Sequence, residues 1–167
     1  IFDNKLAKEN NLVVIDDSAR TVDGFYKNKI SGKAADITVF SFESKKHLTT
    51  GGEGGMITTD NENFAKEARK FIGIGYSHIN ADGGATHLAL ENVQDPNYLR
   101  FDKVAPNYRL NQIRAAVGIG QLKRVKEIVG LRKKIGNLFL SRTRNIVPWF
   151  IPQHTPQNQI NAYYTSV

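Results

Sequence analysis

Lys46 stands just beyond an apolar, β-branched segment (residues 36–42, DITVFSF), and a glycine-rich turn, Gly51-Gly52-Glu53-Gly54-Gly55, follows it. A lysine at a strand-to-loop junction suits Schiff-base chemistry. An amine attacks an aldehyde only in its neutral form, so the fold has to shelter it from water or set it beside another cation. Lys45 offers such a charge, although read alone a Lys-Lys pair is most often a surface feature. Ser41, five residues upstream, supplies a hydroxyl for a phosphate, and the glycines let backbone approach a ligand closely.

A second group that could do chemistry is Asp16-Asp17, which ends the apolar run Val13-Val14-Ile15. The carboxyl ends of strands are where open α/β sheets bind ligands. An acid there could hold Mg²⁺, bind a ribose hydroxyl, pair with a protonated ring nitrogen, or simply cap the next turn. An acid facing a pyridine nitrogen keeps that ring protonated as an electron sink. Taken with Lys46 and Ser41, the pattern suits a pyridoxal phosphate (PLP) enzyme.

Other chemistries find less support. The glycine run lacks the Gly-Lys-Ser/Thr ending of a phosphate-binding loop, and no G-x-G-x-x-G opens a helix after the first apolar run. His47, His78, His87 and His154 lack metal-ligand spacing and read as loop residues. No G-x-S-x-G elbow is present.

The elements needed to position these residues follow from periodicity. Phe2 and Leu6 have helical spacing over residues 1–10, and Asn10-Asn11 closes that helix. Residues 12–15 read as a strand buried on both faces. Residues 36–42 and 56–59 make two further strands. Asp60 is the expected cap of a helix carrying Phe64, Ala65, Ala68, Phe71 and Ile72 on one face. Residues 73–106 show no period and read as a long functional or mobile loop. A second helical region starts near Leu110 and runs towards Phe139, with a break or bend expected from Gly118, Gly120, Gly130 and Gly136. Pro148, Pro152 and Pro156 mark a linker, and residues 160–167 begin a new strand.

The formal charge of +7 is concentrated: eight basic residues lie between Gln121 and Asn145 against Glu127 alone, and the remainder is balanced. Such a segment could bind nucleic acid or an anionic surface, but no aromatic residues are interleaved there, and a solvated helix face is the simpler reading. Neither nucleic acid nor membrane is expected as a partner. No apolar run approaches the ~20 residues of a membrane span. The absence of cysteine fits a cytoplasmic location. Both ends read as cut within a longer protein.

The motifs together resemble those of the DegT/DnrJ/EryC1/StrS family of PLP-dependent sugar aminotransferases. Asp16-Asp17-Ser18-Ala19-Arg20 is similar to the family's Glu-Asp-x-Ala-Gln, and Phe40-Ser41-Phe42 with Lys46 and Gly52-Glu53-Gly54-Gly55 to its FSF-x-x-x-K and GEGG motifs. Asn107-Tyr108-Arg109-Leu110, with Ala115-Ala116 and Gln121-Leu122 after it, is similar to its Asn-Tyr-Arg-Met/Leu motif.

The resemblance implies an α/β fold: part of the PLP-dependent transferase large domain, three-layered, with a mainly parallel sheet and helices on both faces. Residues 1–145 would be the C-terminal portion of that domain, and 146–167 a linker and the start of a small C-terminal domain. Lys46, not Lys45, would hold PLP as a Schiff base and later move a proton between substrate and cofactor. Asp17 would pair with the pyridine nitrogen, Ala19 pack on the ring face, and Ser41 bind the phosphate. Asn107 would reach the phosphate of a neighbouring subunit's cofactor, making the enzyme a homodimer with shared sites. Arg20 departs from the usual Gln, His or Glu near the cofactor ring; an arginine could change ring electronics or salt-bridge to an aspartate.

The implied reaction moves an amino group from glutamate to a nucleotide-linked keto-deoxysugar. An alternative inside the family is a sugar dehydratase, whose members carry histidine where Lys46 stands; His47 is one residue away. An alternative outside it is a catalytically silent binding domain using segment 121–145. The isolated chain is expected to take PLP weakly and to be inactive, because the family's upstream phosphate loop would precede residue 1.

Overall fold

The computed structural model describes residues 4–80, 88–144 and 146–164. The expected contributions of Phe2, His87 and residues 165–167 lie outside these. Five α-helices and six β-strands are formed by the described residues. Packing divides the chain into two compact units, one formed by residues 1–56 with 112–167 and the other by 57–111.

The first unit holds the motifs around Lys46. Helix α1 (Asn4–Glu9) ends where Asn11 takes a left-handed φ of 51°, a conformation asparagine tolerates better than most residues. Strand β1 (Ile15–Asp17) begins later than its apolar run suggests. Leu12, Val13 and Ile15 are exposed, against the expectation of a strand buried on both faces. The reason is its place in the sheet: among the described residues β1 pairs with a strand on one side only.

A hairpin that periodicity did not reveal follows, made of β2 (Phe25–Tyr26) and β3 (Lys29–Ile30). Its turn residues Lys27 and Asn28 both have positive φ, 47° and 62°. That is the conformation which matches the twist of two-residue hairpins, reached here without the usual glycine. Strand β4 (Ile37–Ser41) then lies parallel to β1 in the register Ile15↔Ile37, Asp16↔Thr38, Asp17↔Val39. Strand β5 (Gly55–Thr58) completes the order β1-β4-β5 and leads out of this unit.

The helical region after residue 110 is two helices, α4 (Gln112–Lys123) and α5 (Val125–Thr143); the expected break falls at Arg124, while Gly118, Gly120, Gly130 and Gly136 all lie inside the helices. Val129 of α5 is fully buried, and Leu48 and Ala162 are nearly so. Beyond the prolines, strand β6 (Gln159–Ile160) pairs antiparallel with β2, giving a second sheet β3-β2-β6. Residues 146–164 therefore return to the hairpin.

In the second unit α2 (Glu62–Ile72) is capped by Asn61, not Asp60: the Asn61 carboxamide oxygen accepts the N–H groups of Asn63 and Phe64 at 2.9 and 3.1 Å. Phe71 is exposed, and Lys70 is buried in its place by an ion pair with Asp102. The described residues of 73–106 are more ordered than their lack of period implied. They contain α3 (Leu90–Gln94) and are pinned by the backbone bridges Gly73↔Asn107 and Tyr76↔Phe101.

Candidate active site

The parallel pairing of β1 and β4 brings two expected site residues to one edge. Asp17 is opposite Val39, so Ser41 lies two residues further along the adjacent strand. At ~3.3 Å per residue and ~4.8 Å between strands, their Cα atoms are about 8 Å apart. Asp17 accepts the Ala19 N–H at 3.0 Å through Oδ1, which turns the chain at the strand exit. Asp16 is engaged by the Ser18 hydroxyl at 3.0 Å, and Ser18 is buried. Ser41 Oγ accepts the Glu43 N–H at 3.4 Å, and its own proton is donated to no described residue.

The loop that carries Lys46 is closed by its own backbone. Phe42 N–H donates to Gly54 O and Ser44 N–H to Gly52 O, both at 2.8 Å, and Thr50 N–H returns to Phe42 O at 3.2 Å. Gly51 and Gly52 make the reversal with φ of 84° and 119°, values that carry a steric penalty for residues with a Cβ. The loop also packs under α4: a Cβ on Gly118 would stand 2.8 Å from Thr50 Cγ2, so that glycine permits a contact rather than merely weakening a helix. Within the loop Lys45 is exposed and Lys46 half-buried. Of the two lysines, Lys46 has the more sheltered side chain.

Sequence reasoning missed the residue around which the site is arranged, Tyr164. The Lys46 ammonium lies 5.0 Å from the centre of the Tyr164 ring and 3.4 Å from its hydroxyl. The Arg20 guanidinium carbon lies 5.6 Å from the same ring centre, and His47 packs against it with ring centres 5.9 Å apart. Cation–ring contacts of this kind stabilise by about 0.5–1 kcal/mol each at exposed positions. Tyr163 sets the placement: its N–H donates to Asn161 Oδ1 at 2.7 Å, its hydroxyl meets Asn137 Oδ1 at 2.7 Å, and its ring lies on Gly136 of α5. The only hint in the sequence was the Tyr163-Tyr164 pair after the prolines.

His47 is a loop residue as expected, but a buried one, and its Nε2 donates to the Ala162 carbonyl at 3.0 Å. Burial holds its imidazole below the ordinary value and the positive charges of Arg132 and Lys133 act the same way, while the Ala162 carbonyl opposes them. Burial thus favours the neutral ring, which ties residue 162 to the Lys46 loop. Arg132 approaches the Lys46 carbonyl at 3.5 Å.

Segment 121–145 is partly consumed inside the fold. Arg124 pairs with Glu127, and Lys126 and Lys133 both reach Asp23. Together with Arg132, half of its eight basic residues have partners within the chain, which counts against a free basic surface.

The donor set fits a ring bearing an aldehyde, a basic nitrogen and a phosphate. It offers a half-buried amine at Lys46, a carboxylate at the strand exit with one oxygen engaged, a small Ala19 beside it, and a Ser41 hydroxyl free to donate. Asn107 lies in the second unit, where it is exposed and its side-chain oxygen accepts from Arg109 Nε at 3.0 Å.

Comparison with known proteins agrees with this chemistry. Residues 4–167 match the DegT/DnrJ/EryC1/StrS aminotransferase family. GDP-perosamine synthase of Caulobacter vibrioides is 37% identical over 132 residues, covering 78% of this chain and 30% of that protein. UDP-4-amino-4,6-dideoxy-N-acetyl-beta-L-altrosamine transaminase of Campylobacter jejuni serotype O:2 is 29% identical over 136 residues, covering 81% and 32%. A crystallographic aminotransferase from Psychrobacter cryohalolentis superposes with a TM-score of 0.77 at 28% identity, over 96% of this chain and 41% of that one. The chain spans about a third of the length of these curated relatives. The α/β fold expected from the sequence is therefore shared with solved aminotransferases, and the chain belongs to the DegT/DnrJ/EryC1/StrS aminotransferase family.

Proposed function

We propose that this chain is the Lys46-bearing part of a PLP-dependent enzyme that transfers an amino group from glutamate to a nucleotide-linked keto-deoxysugar. The observation that carries the reading is the half-buried Lys46 on a self-closed loop, next to the β1–β4 edge where Asp17 and Ser41 emerge. The GDP- and UDP-linked sugars in the names of its relatives support the substrate class.

PLP, when bound, supplies an aldehyde for the amine and a protonated ring that accepts an electron pair. Lys46 would hold it through its amine and would move the proton at the substrate carbon. Asp17 would keep the ring nitrogen protonated, Ala19 would leave room for the ring face, and Ser41 would donate to the phosphate. Arg20 borders the ring's edge. Asn107 belongs to the same reading, as a ligand to the phosphate in a neighbouring subunit of a homodimer.

His47 supports transamination over dehydration. It is turned into the protein and committed to Ala162, so it does not stand in for Lys46. The division near residue 145 into a cofactor-binding portion and the start of a second domain is part of the proposal, as is a cytoplasmic location. Among the described residues no helix is long and apolar enough to cross a membrane.

The test uses the full-length protein, PLP and glutamate, with release of 2-oxoglutarate followed by enzymatic assay. A keto-deoxysugar nucleotide is then added and the product examined by mass spectrometry. Stoichiometric 2-oxoglutarate and an aminated sugar nucleotide are expected. No 2-oxoglutarate at any glutamate concentration would overturn the assignment.

A further inference from the structure

Two cations meet at one ring in this site, and no described carboxylate forms an ion pair with either. Arg20 and Lys46 lie 5.6 and 5.0 Å from the centre of Tyr164. The acids nearby are engaged elsewhere. Asp17 turns the chain through the Ala19 N–H, and Asp16 holds the Ser18 hydroxyl. Asp23 takes Lys126 and Lys133. Glu43, whose carboxyl is held low first by the Ser44 hydroxyl and then by the Lys45 N–H, feels Lys46 only weakly. Arg20 therefore does not bond to an aspartate. A guanidinium held near an aromatic ring, with no carboxylate on it, keeps N–H groups available for a planar anion.

We infer that Arg20, carried on the Tyr164 ring, receives a carboxylate of the amino donor. This rests on the transaminase reading above. The carbon that reacts at Lys46 bears a carboxylate directly, so the cation that recognises it has to be held close to Lys46, and sharing one ring does that. Bidentate guanidinium–carboxylate bonds are among the stronger polar contacts. Tyr164 is then a positioning residue, acting through Arg20, and the departure from the family's usual uncharged or acidic residue at position 20 becomes a specificity feature.

The test measures equilibrium binding to the PLP-loaded full-length protein by calorimetry, using glutarate, which has no amino group to transfer, and pyrophosphate as a stand-in for the nucleotide end. Arg20→Gln is expected to weaken glutarate by about 10- to 100-fold, the range for a hydrogen bond to a charged group, and to leave pyrophosphate within about twofold. Tyr164→Phe keeps the ring and retains binding. Tyr164→Leu weakens glutarate, but adds nothing in the Arg20→Gln background. Thermal melts of each variant exclude unfolding as the cause, and Arg20→Lys, which keeps charge but loses the fork, should recover only part of the affinity. Unchanged glutarate binding in Arg20→Gln overturns the inference. Loss of pyrophosphate binding alone also overturns it, and assigns the cation to the nucleotide phosphates. Because glutarate binding needs no turnover, failure of the transaminase reading would appear separately, as missing 2-oxoglutarate from the wild type.

Discussion

Where a Cβ on Gly136 would stand, the ring of Tyr163 lies 2.6 Å away. Helix α5 leaves a gap in its side-chain surface so that Tyr163 can lie against its backbone, and the next residue, Tyr164, reaches Lys46 and Arg20. Gly136→Ala should therefore disturb the site from a helix that carries none of its chemistry. Alanine gains about 1 kcal/mol of helix propensity, but overpacking a filled position costs about 1–3 kcal/mol, so a net loss of stability is expected. Gly130, in the same helix, has open space within 4 Å of where a methyl group would stand, and Gly130→Ala should stabilise. Thermal denaturation of both variants checks this; a gain from both would mean that Tyr163 is not seated on Gly136.

Lys45 and Lys46 should separate cleanly. In the full-length protein Lys46→Ala removes the amine proposed to transfer the proton, a step worth about 10²–10⁴-fold in rate. Lys45→Ala should stay within a few-fold of wild type, because Lys45 is exposed. Transaminase rates, with borohydride trapping and peptide mapping of the modified lysine, distinguish the two. Label on Lys45 would refute the register.

His47 should impose a pH dependence on stability. Burial lowers its folded value below the ordinary 6.5, so on acidification the unfolded chain takes up the proton first. Its contribution is complete above about pH 6.5, falls as the pH drops towards the folded value, and then levels off. Denaturation midpoints collected on either side of that value should decline more steeply for wild type than for His47→Gln, whose amide can still donate to Ala162. Equal slopes would remove His47 as the sensitive group.

Asp23 gathers Lys126 and Lys133, both at 3.2 Å, and is itself only 11% exposed. Its φ of 58° is left-handed, a conformation asparagine also accepts. Asp23→Asn therefore removes the charge and spares the backbone. A loss of about 1–2 kcal/mol is expected, smaller at about 1 M salt because Lys126 is exposed and screened. Urea titrations at two salt concentrations measure it. An unchanged midpoint at low salt would show that the hairpin does not depend on this charge.

Much of the site could be read from local pattern. Strands β4 and β5 and helix α2 follow from apolar spacing and the glycine turn, whereas the break between α4 and α5 falls at Arg124, away from the glycines that suggested one. The short motifs around Asp17, Lys46 and Asn107 identified the family, because a lysine loop and a strand-end acid must keep residue type and spacing for their chemistry. Caps and turns were less legible. Asp60 and Asn61 are both good N-caps, and only the backbone path selects Asn61. The Lys27-Asn28 turn uses left-handed residues without the glycine that would announce them.

The sequence by itself determined which residues could do the chemistry: Lys46, Asp17, Ser41 and the glycines that close the loop. It also made Arg20 visible as a departure from the family pattern. Only the tertiary structure decided what surrounds them. Tyr164 lies 118 positions from Lys46, and His47 bonds to a carbonyl 115 positions away. Contacts at such separation have no period and no local motif. They exist because β6 pairs with β2 and Tyr163 fits the gap at Gly136, so long-range packing, not local propensity, completes the site.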